Sequence, residues 1–431
     1  MNKSNPASAG FSDGRVLPFV PRTHQGRQDA VPKSLSIIIP ALNEEAAIGK
    51  TIERCLAAKA AIIQNTPIGE VEIIVVSDGS TDLTGEIARS YESVHVIEYE
   101  ENRGYGAAIK LGFSKGSSDL VGFLDADGTC DPESFVGLCK KAVEESADMV
   151  MGSRMHKKSK MPGLRWIGNR MYAALVSYLS GKKISDTATG IRVLRRDSLA
   201  KLYPLPTGLH FTPAMTFRAL VAGLVVREMP VPYHERTGRS KLHVMRDGLR
   251  FLMSIIEIAL CFCPLKFFGC TSALFFLAAL LYSLDPAWDL IVRHVFQNNF
   301  IYRQIAINTF FLAALLMLSI GVVAERVAAA LNGNCRHHSA LGRMVLRLCS
   351  TRKMVVVGAC FIVLGIILNI GALTEYLTTR QISCHWGFIS VGSLIMLSGM
   401  QFAAMGIFEL LVTRIVERNG NGNGIAKNVS E

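Results

Sequence analysis

The first half of the chain alternates short apolar runs with longer amphipathic stretches, and the second half is dominated by long apolar ones. Leu35 to Pro40 (LSIIIP), Val71 to Ser77 (VEIIVVS), Val94 to Tyr99 (VHVIEY) and Leu120 to Asp125 (LVGFLD) are short and rich in β-branched residues, the pattern of strands buried on both faces. Between them lie segments such as Glu45 to Lys59, where Ile48, Ile52, Cys55 and Leu56 recur on one helical face. Strands alternating with helices predict an α/β domain with a mostly parallel, Rossmann-like sheet.

Beyond residue 242 the pattern changes. From His243 to Phe262, Arg246, Asp247, Arg250, Ser254 and Glu257 recur at helical spacing among Leu, Ile, Met and Phe, which predicts an amphipathic helix at a membrane surface. A core helix of the soluble domain is the alternative, disfavoured because Pro264 and a long apolar run follow at once. Leu265 to Leu284, Ile305 to Ala324, Met354 to Leu373 and Phe388 to Val412 each have the length to span a bilayer. The predicted organisation is a tail over 1–33, an α/β domain over 34–242, the interfacial helix over 243–263, a four-helix transmembrane region over 264–412 and a flexible tail over 413–431. The first tail is rich in Ser, Pro, Gly, Arg and Gln, and the last contains the run NGNGNG from Asn419 to Gly424.

Composition sharpens this reading. Half of the residues are hydrophobic, more than a wholly soluble protein carries, which supports an integral, multi-pass membrane protein. The link between the second and third spans holds Arg326, Arg336, Arg343, Arg347, Arg352 and Lys353, against Arg293 and Arg303, or Arg380, in the neighbouring links. By the positive-inside rule the α/β domain and the C-terminus are cytoplasmic. The net charge of +11 suits anionic partners, but no motif or aromatic-basic platform points to nucleic acid. The ten cysteines show no zinc-like spacing and read as reduced structural thiols.

Polar residues fall directly after the predicted strands: Asn43 and Glu44, Asp78, Asn102, then Asp125 with Asp127. In an open α/β sheet the ligand crevice lies beyond the carboxyl ends of the strands, so these groups are predicted to converge. The DAD of Asp125 to Asp127 sets two carboxylates two residues apart at a strand end, suited to Mg²⁺ or Mn²⁺, although a lone DxD is more often a solvated turn. In SDGSTD, Ser77 to Asp82, Ser80 and Thr81 are good helix caps, and Asp78 is placed to accept a hydrogen bond from a base ring N–H, which uracil and guanine both offer. In ENRGYGAAIKLG, Glu101 to Gly112, the glycines suit either close approach to a ligand or the packing of a helix start.

Together PALNE (Pro40 to Glu44), SDGSTD, NRGYGAA, DAD and GSR (Gly152 to Arg154) resemble, in order and spacing, the family 2 glycosyltransferases of GT-A fold. DTATGIRVLRRDSL and RTGRSKL, Arg236 to Leu242, narrow the resemblance to dolichol-phosphate mannosyltransferase-like and bactoprenol glucosyltransferase-like enzymes. GMQFAAMGIFELLVTR, Gly399 to Arg414, is similar to the last helix of the latter. The resemblance covers about residues 35–265. It implies a nucleoside pocket lined by Pro40, Leu42, Glu44 and Asp78, with Asn102 nearby, and a metal and diphosphate site at Asp125, Ala126 and Asp127. It also implies phosphate contacts from Arg154, Arg236 and Lys241, for which a solvated basic loop is the bland alternative.

Two positions depart from the family's pattern. Thr129 stands where many relatives carry Gln, and Ala214 where many carry Glu. The implied reaction is inverting transfer of one hexose from a UDP- or GDP-sugar to a polyprenyl phosphate, with a catalytic role for Asp127. An acceptor phosphate is already largely ionised at neutral pH, so the carboxylate missing at Ala214 is not required as a base. A processive polysaccharide synthase would carry QxxRW, whereas the only RW here is in PGLRW, Pro162 to Trp166. A nucleotide-binding flippase or scaffold without catalysis is the third reading, and the membrane helices leave room for a homo-oligomer.

Overall fold

The computed structural model describes residues 31–156, 159, 161–236, 244–293, 300–332, 340–349, 351–383 and 385–428. Lys241 and most of the RTGRSKL segment lie outside them, as do residues 1–30 of the predicted tail. Contacts divide the chain into two compact units, one holding the described residues up to Met161, Thr189–Phe211 and those of 224–241, the other Pro162–Ala188, Thr212–Gly223 and those beyond.

The first unit is built on a seven-stranded sheet. Its strands are β1 (Ser34–Ala41), β2 (Glu70–Asp78), β3 (His95–Tyr99), β4 (Leu120–Phe123), β5 (Met149–Ser153), β6 (Arg192–Arg195) and β7 (Val226–Pro230). Their order is β3-β2-β1-β4-β6-β5-β7, parallel except for β6, which runs against both β4 and β5. The four strands read from apolar runs are all present, and the sheet is mostly parallel as the pattern predicts. The other three escape a hydrophobicity reading because β6 (RVLR) and β7 (VREMP) are interrupted by charge and β5 (MVMGS) lacks a run of β-branched residues.

Helices α1 (Glu45–Asn65), α2 (Thr84–Arg89), α3 (Tyr105–Lys115) and α4 (Ser134–Glu144) pack on the sheet. Because side chains alternate along a strand, β1 serves both faces. Ile37 and Ile39 join a core with Ile48 and Ile52 of α1 and Phe135 and Leu138 of α4, while Ile38 turns to α3, where a Cβ on Gly112 would lie 2.4 Å from its Cγ2. Each isoleucine so buried contributes about 1.5–3 kcal/mol. The chain winds β1-β2-β3 in one direction and then returns to place β4 on the other side of β1. That reversal opens a crevice between the loops leaving β1 and β4, where PALNE and DAD end.

The second unit contains α5 (Gly163–Ser180), α6 (Phe211–Val221) from Thr212 on, α7 (Val244–Phe262), α8 (Pro264–Arg293), α9 (Ile301–Asn332), α10 (Ala340–Leu348), α11 (Thr351–Thr379) and α12 (Trp386–Asn428). Four segments are long and apolar enough to cross a membrane: Pro264–Arg293, Ile301–Ala329, Arg352–Thr379 and Trp386–Val412, each enclosing a span predicted from sequence. α12 continues to Asn428, where composition predicts a flexible tail. Its backbone satisfies its own polar groups by extending the helix, against about 1 kcal/mol for each glycine.

Van der Waals fit and buried polar contacts hold these helices together, since lipid gives no hydrophobic force between them. Gly358 of α11 and Gly399 of α12 meet backbone to backbone: a Cβ on Gly358 would lie 2.6 Å from Ala403 N and 2.7 Å from Gly399 O. Asn308 of α9 donates to Ser390 of α12 at 2.8 Å, and Glu325 accepts the Leu265 N–H that opens α8 at 2.9 Å. Glu409, within the fourth span, is buried and paired with Arg326 at 3.0 Å. At that depth a partner costs less than an unpaired carboxylate.

On α7 the polar stripe is partly turned inward. Asp247 and Ser254 are buried, while Met245, Leu249, Met253 and Leu260 are exposed. On α5, Leu164, Ile167, Met171 and Tyr178 are exposed on one face, and Tyr172 ties α5 to α7 through a 2.7 Å hydrogen bond to Gly248 O.

The glycine contact sets a test within α11. Gly358→Leu should lower the thermal stability of the purified protein by about 1–3 kcal/mol or more, whereas Gly371→Leu, with nothing within 4 Å of the added Cβ, should leave it unchanged. Equal melting temperatures for the two variants would contradict the close α11–α12 packing.

Candidate active site

The loop leaving β1 is laced to the turn after β2. Asn43 adopts a left-handed φ of 46°; its N–H donates to Ser80 Oγ (3.1 Å) and its Oδ1 accepts from Thr81 N–H (2.8 Å). Glu44 N–H donates to Thr84 Oγ1 at 2.8 Å. Ser80 and Thr81, suited by type to cap α2, therefore serve Asn43, and Asp82 accepts the Thr84 N–H at the helix start instead. Pro40 is buried within β1 opposite Val76, and Leu42 is half-buried at its exit.

Asp78, at the end of β2, is 2 % exposed and accepts the backbone N–H groups of Arg103 (2.8 Å) and Gly104 (2.9 Å). Its first role is to latch the NRGYG turn beside the crevice; each carboxylate oxygen has a second lone pair that these bonds leave over. Asn102 is exposed at the rim of that turn. Helix-start packing accounts for the glycines: Gly104 has φ 102°, and a Cβ there would sit 2.6 Å from Thr207 O, which also accepts the Gly106 N–H. No residue with a side chain fits that position without strain.

The carboxylate pair lies at the exit of β4. Ala126 is buried, its carbonyl held by Thr51 Oγ1 of α1 at 3.1 Å. Asp125 is half-buried, its Oδ1 accepting the Tyr105 hydroxyl at 2.7 Å. Burial, then the charge of Asp127, pushes the Asp125 carboxyl up to about 7, against smaller opposing effects of the Tyr105 hydrogen bond and the charges of Arg154 and Arg236. Asp127 is buried, its Oδ1 accepting both the N–H (3.1 Å) and the hydroxyl (2.6 Å) of Thr129. Thr129 thus acts as a neutral clip on Asp127.

Arg236 comes from far along the sequence. The stretch before it runs antiparallel beside the DAD loop, through a bridge between Cys130 and Tyr233 and a 3.0 Å bond from His234 N–H to Thr129 O. Its Nη1 then donates to Asp127 Oδ2 at 2.8 Å and its Nη2 to Glu44 Oε1 at 2.6 Å. One guanidinium therefore joins the loops that leave β1 and β4. Arg154 follows β5 and lies over the Tyr233 ring at 5.8 Å, near enough for its charge to act on Asp125. Of the residues singled out by sequence, Glu44, Asp125, Asp127, Arg154 and Arg236 form one cluster, Asp78 and Pro40 lie in its supporting walls, and Lys241 falls outside the described residues. Ala214 is buried in α6.

A divalent cation fits this donor set. Two oxygen ligands two residues apart, one of them driven toward protonation by its neighbour, suit Mg²⁺ or Mn²⁺ completed by phosphate and water. Among the described residues no group of three or more His, Cys, Asp or Glu converges on a metal position. Cys130 does not compete as a ligand, because burial and the charges of Asp125 and Asp127 push its thiol up. The sequence reading missed Tyr105 and Gly190, the latter packed on Asp125 so closely that a Cβ would lie 1.9 Å from Oδ2. Both sit inside motifs quoted above, NRGYG and DTATG, but nothing in a linear pattern tells that they meet the same carboxylate.

Comparison with known proteins shows the family. Residues 36–203 match the model of glycosyl transferase family 2. The low-salt glycan biosynthesis hexosyltransferase Agl6 of Haloferax volcanii is 35 % identical over 224 residues, 51 % of this chain and 52 % of that protein, so the chain spans about half the length of this relative. The dolichyl-phosphate hexose transferase of the same organism is 33 % identical over 228 residues, 52 % of this chain and 94 % of that one. The dodecaprenyl-phosphate galacturonate synthase of Rhizobium johnstonii is 27 % identical over 322 residues, 70 % of this chain and 90 % of that one, a match reaching well past the sheet-bearing unit. With 94 % of the dolichyl-phosphate hexose transferase covered at 33 % identity, and with the family model matching residues 36–203, the chain belongs to glycosyl transferase family 2.

Proposed function

We propose that the protein transfers a single hexose from a UDP- or GDP-sugar to a polyprenyl phosphate at the cytoplasmic face of a membrane, with inversion, giving a lipid-linked monophosphoryl sugar for cell-envelope glycan or glycoconjugate assembly. The observation that carries this reading is the Asp125–Asp127 pair at the β1/β4 crevice, facing the guanidinium of Arg236 in a chain with four helices of membrane-spanning length. The names of the relatives, which are hexose and galacturonate transferases or synthases, two of them acting on dolichyl or dodecaprenyl phosphate, support the acceptor class.

Pro40, Leu42, Glu44, Asp78 and Asn102 form the nucleoside side of the site, and Asp125, Ala126 and Asp127 the diphosphate side. When bound, Mg²⁺ or Mn²⁺ held by Asp125 and Asp127 neutralises charge on the departing nucleoside diphosphate. Arg154, Arg236 and Lys241 take the phosphate oxygens: arginine as a two-pronged donor, lysine as a point charge. The acceptor arrives as an anion, so alignment opposite the leaving group and charge neutralisation suffice for attack on the anomeric carbon. The exposed apolar faces of α5 and α7 rest in the headgroup layer, and residues 237–243 connect Arg236 directly to α7 in the chain. The Arg-rich link between the second and third spans supports a cytoplasmic placement of the α/β domain.

The experiment is transfer of label from a panel of UDP- and GDP-sugars to polyprenyl phosphate in nanodiscs containing the protein. One donor should give label in the organic phase that EDTA abolishes, and proton NMR should find the anomeric configuration inverted. In sealed vesicles, donor should label lipid only from the face carrying the Arg-rich link. No label with any donor, or a retained configuration, would contradict the reading.

Asp125 gives a test with opposite effects on activity and stability. Its folded pKa of about 7 lies above the ordinary 3.8, so between these values the folded state binds more protons than the unfolded one. Stability of the metal-free protein therefore falls as pH rises from about 4 to about 7. Asp125→Asn, which cannot ionise, should cut transfer by about 100-fold or more, yet raise the melting temperature in EDTA, and raise it more at pH 8 than at pH 5. A loss of stability at pH 8 would contradict the charge repulsion.

A further inference from the structure

We infer that Tyr105 is a positioning residue for the reaction: its hydroxyl on one side, and the bare backbone of Gly190 on the other, set the orientation in which Asp125 meets the donor's diphosphate and its cation. The inference rests on the proposal that Asp125 and Asp127 hold that cation. Tyr105 opens α3, and its hydroxyl donates to Asp125 Oδ1 at 2.7 Å. The turn that presents it is fixed from two directions. Asp78 accepts the N–H groups of Arg103 and Gly104, and Thr207 O accepts the N–H of Gly106 at 2.6 Å. The ring packs edge-on against Phe211 with centroids 6.5 Å apart, so the hydroxyl is held at a defined height above the sheet edge.

Gly190 closes the other side. A Cβ there would lie 1.9 Å from Asp125 Oδ2 and 2.4 Å from Cγ, so any side chain at 190 would expel the carboxylate from its present position. Asp125 is thus held between a donor and a steric wall, with a lone pair on each oxygen in excess of the Tyr105 bond. Asp127 is held in a parallel way by the hydroxyl and N–H of Thr129. Asp125 is therefore oriented by a neutral donor, whereas Asp127 also takes the Arg236 guanidinium on its Oδ2. A neutral hydroxyl fixes the direction of a carboxylate without cancelling its charge, as lysine or arginine would, and so preserves the attraction of the pair for a divalent ion.

The test uses the full chain in nanodiscs and Tyr105→Phe, which keeps the ring and removes only the hydroxyl. Mn²⁺ binding is read directly from the electron paramagnetic resonance of free Mn²⁺, with and without added UDP or GDP, alongside melting temperature and steady-state kinetics. The expected result is Mn²⁺ affinity weakened about 10-fold or more and a raised KM for Mn²⁺, with an unchanged KM for polyprenyl phosphate and an unchanged melting temperature in EDTA. Mn²⁺ affinity within about twofold of the wild type, or a KM for the acceptor that rises as much as that for Mn²⁺, would overturn the inference. Asp125→Asn separates the two levels. If it weakens Mn²⁺ binding and Tyr105→Phe does not, only the role of Tyr105 falls; if Asp125→Asn also leaves Mn²⁺ binding unchanged, the cation site itself falls, and the role of Tyr105 with it.

Discussion

Two carboxylates set two residues apart at the end of a buried strand repel each other, and much of the first unit is arranged around keeping them together. Asp125 feels this most, with its carboxyl driven up to about 7 by burial and by its neighbour. The surrounding chain relieves the repulsion only in part. Tyr105 and Thr129 orient the pair without neutralising it, and Arg236 supplies a single positive group that is shared between Asp127 and Glu44. With Arg154 also near Asp125, three carboxylates face two arginines, and a site left with negative charge in excess is a site prepared for a cation or for a cation-bearing ligand.

The sheet order explains why these residues can meet. β1 lies between β2 and β4, so the loops that follow β1 and β4 open side by side at the point where the winding reverses. Glu44 and Asp127 thereby come within reach of one guanidinium although they are more than eighty positions apart in sequence. The antiparallel strand β6 and the bridge between Cys130 and Tyr233 then return the chain to the same edge, which is how Arg236 arrives from still farther along. The same return places Gly190 against Asp125.

What the sequence made legible was whatever one local pattern encodes. Ile37, Ile38 and Ile39 in an unbroken apolar run announce a strand buried on both faces, and the four long apolar stretches announce helices of spanning length. DAD after LVGFL places the carboxylate pair at a strand end. The features that stayed hidden depend on partners distant in the chain. Asp78 reads as a base contact from its position, but its buried carboxylate is engaged by two backbone N–H groups of the next strand's loop. Ser80 and Thr81 read as caps but bond Asn43. Strands β6 and β7 carry charge at positions a hydrophobicity pattern treats as breaks: β7 lies at the sheet edge, while Arg192 of the interior strand β6 is buried with its Nε donating to Thr189 O. On α7, Asp247 belongs to the polar stripe by periodicity, yet it is buried while Met245 and Leu249 face outward.

The central claim is that the carboxylate pair holds the donor's diphosphate through a divalent cation, in the place where Arg236 now bridges Asp127 and Glu44. The most direct measurement is a structure of the full chain with Mn²⁺ and a nucleoside diphosphate, the ion located by its anomalous scattering. The account predicts Mn²⁺ bound at Asp127 and Asp125 and touching the diphosphate, with Arg236 Nη1 withdrawn from Asp127 Oδ2. Mn²⁺ bound elsewhere, or a diphosphate in the crevice with both Arg236 ion pairs intact and no ion on the pair, would contradict it.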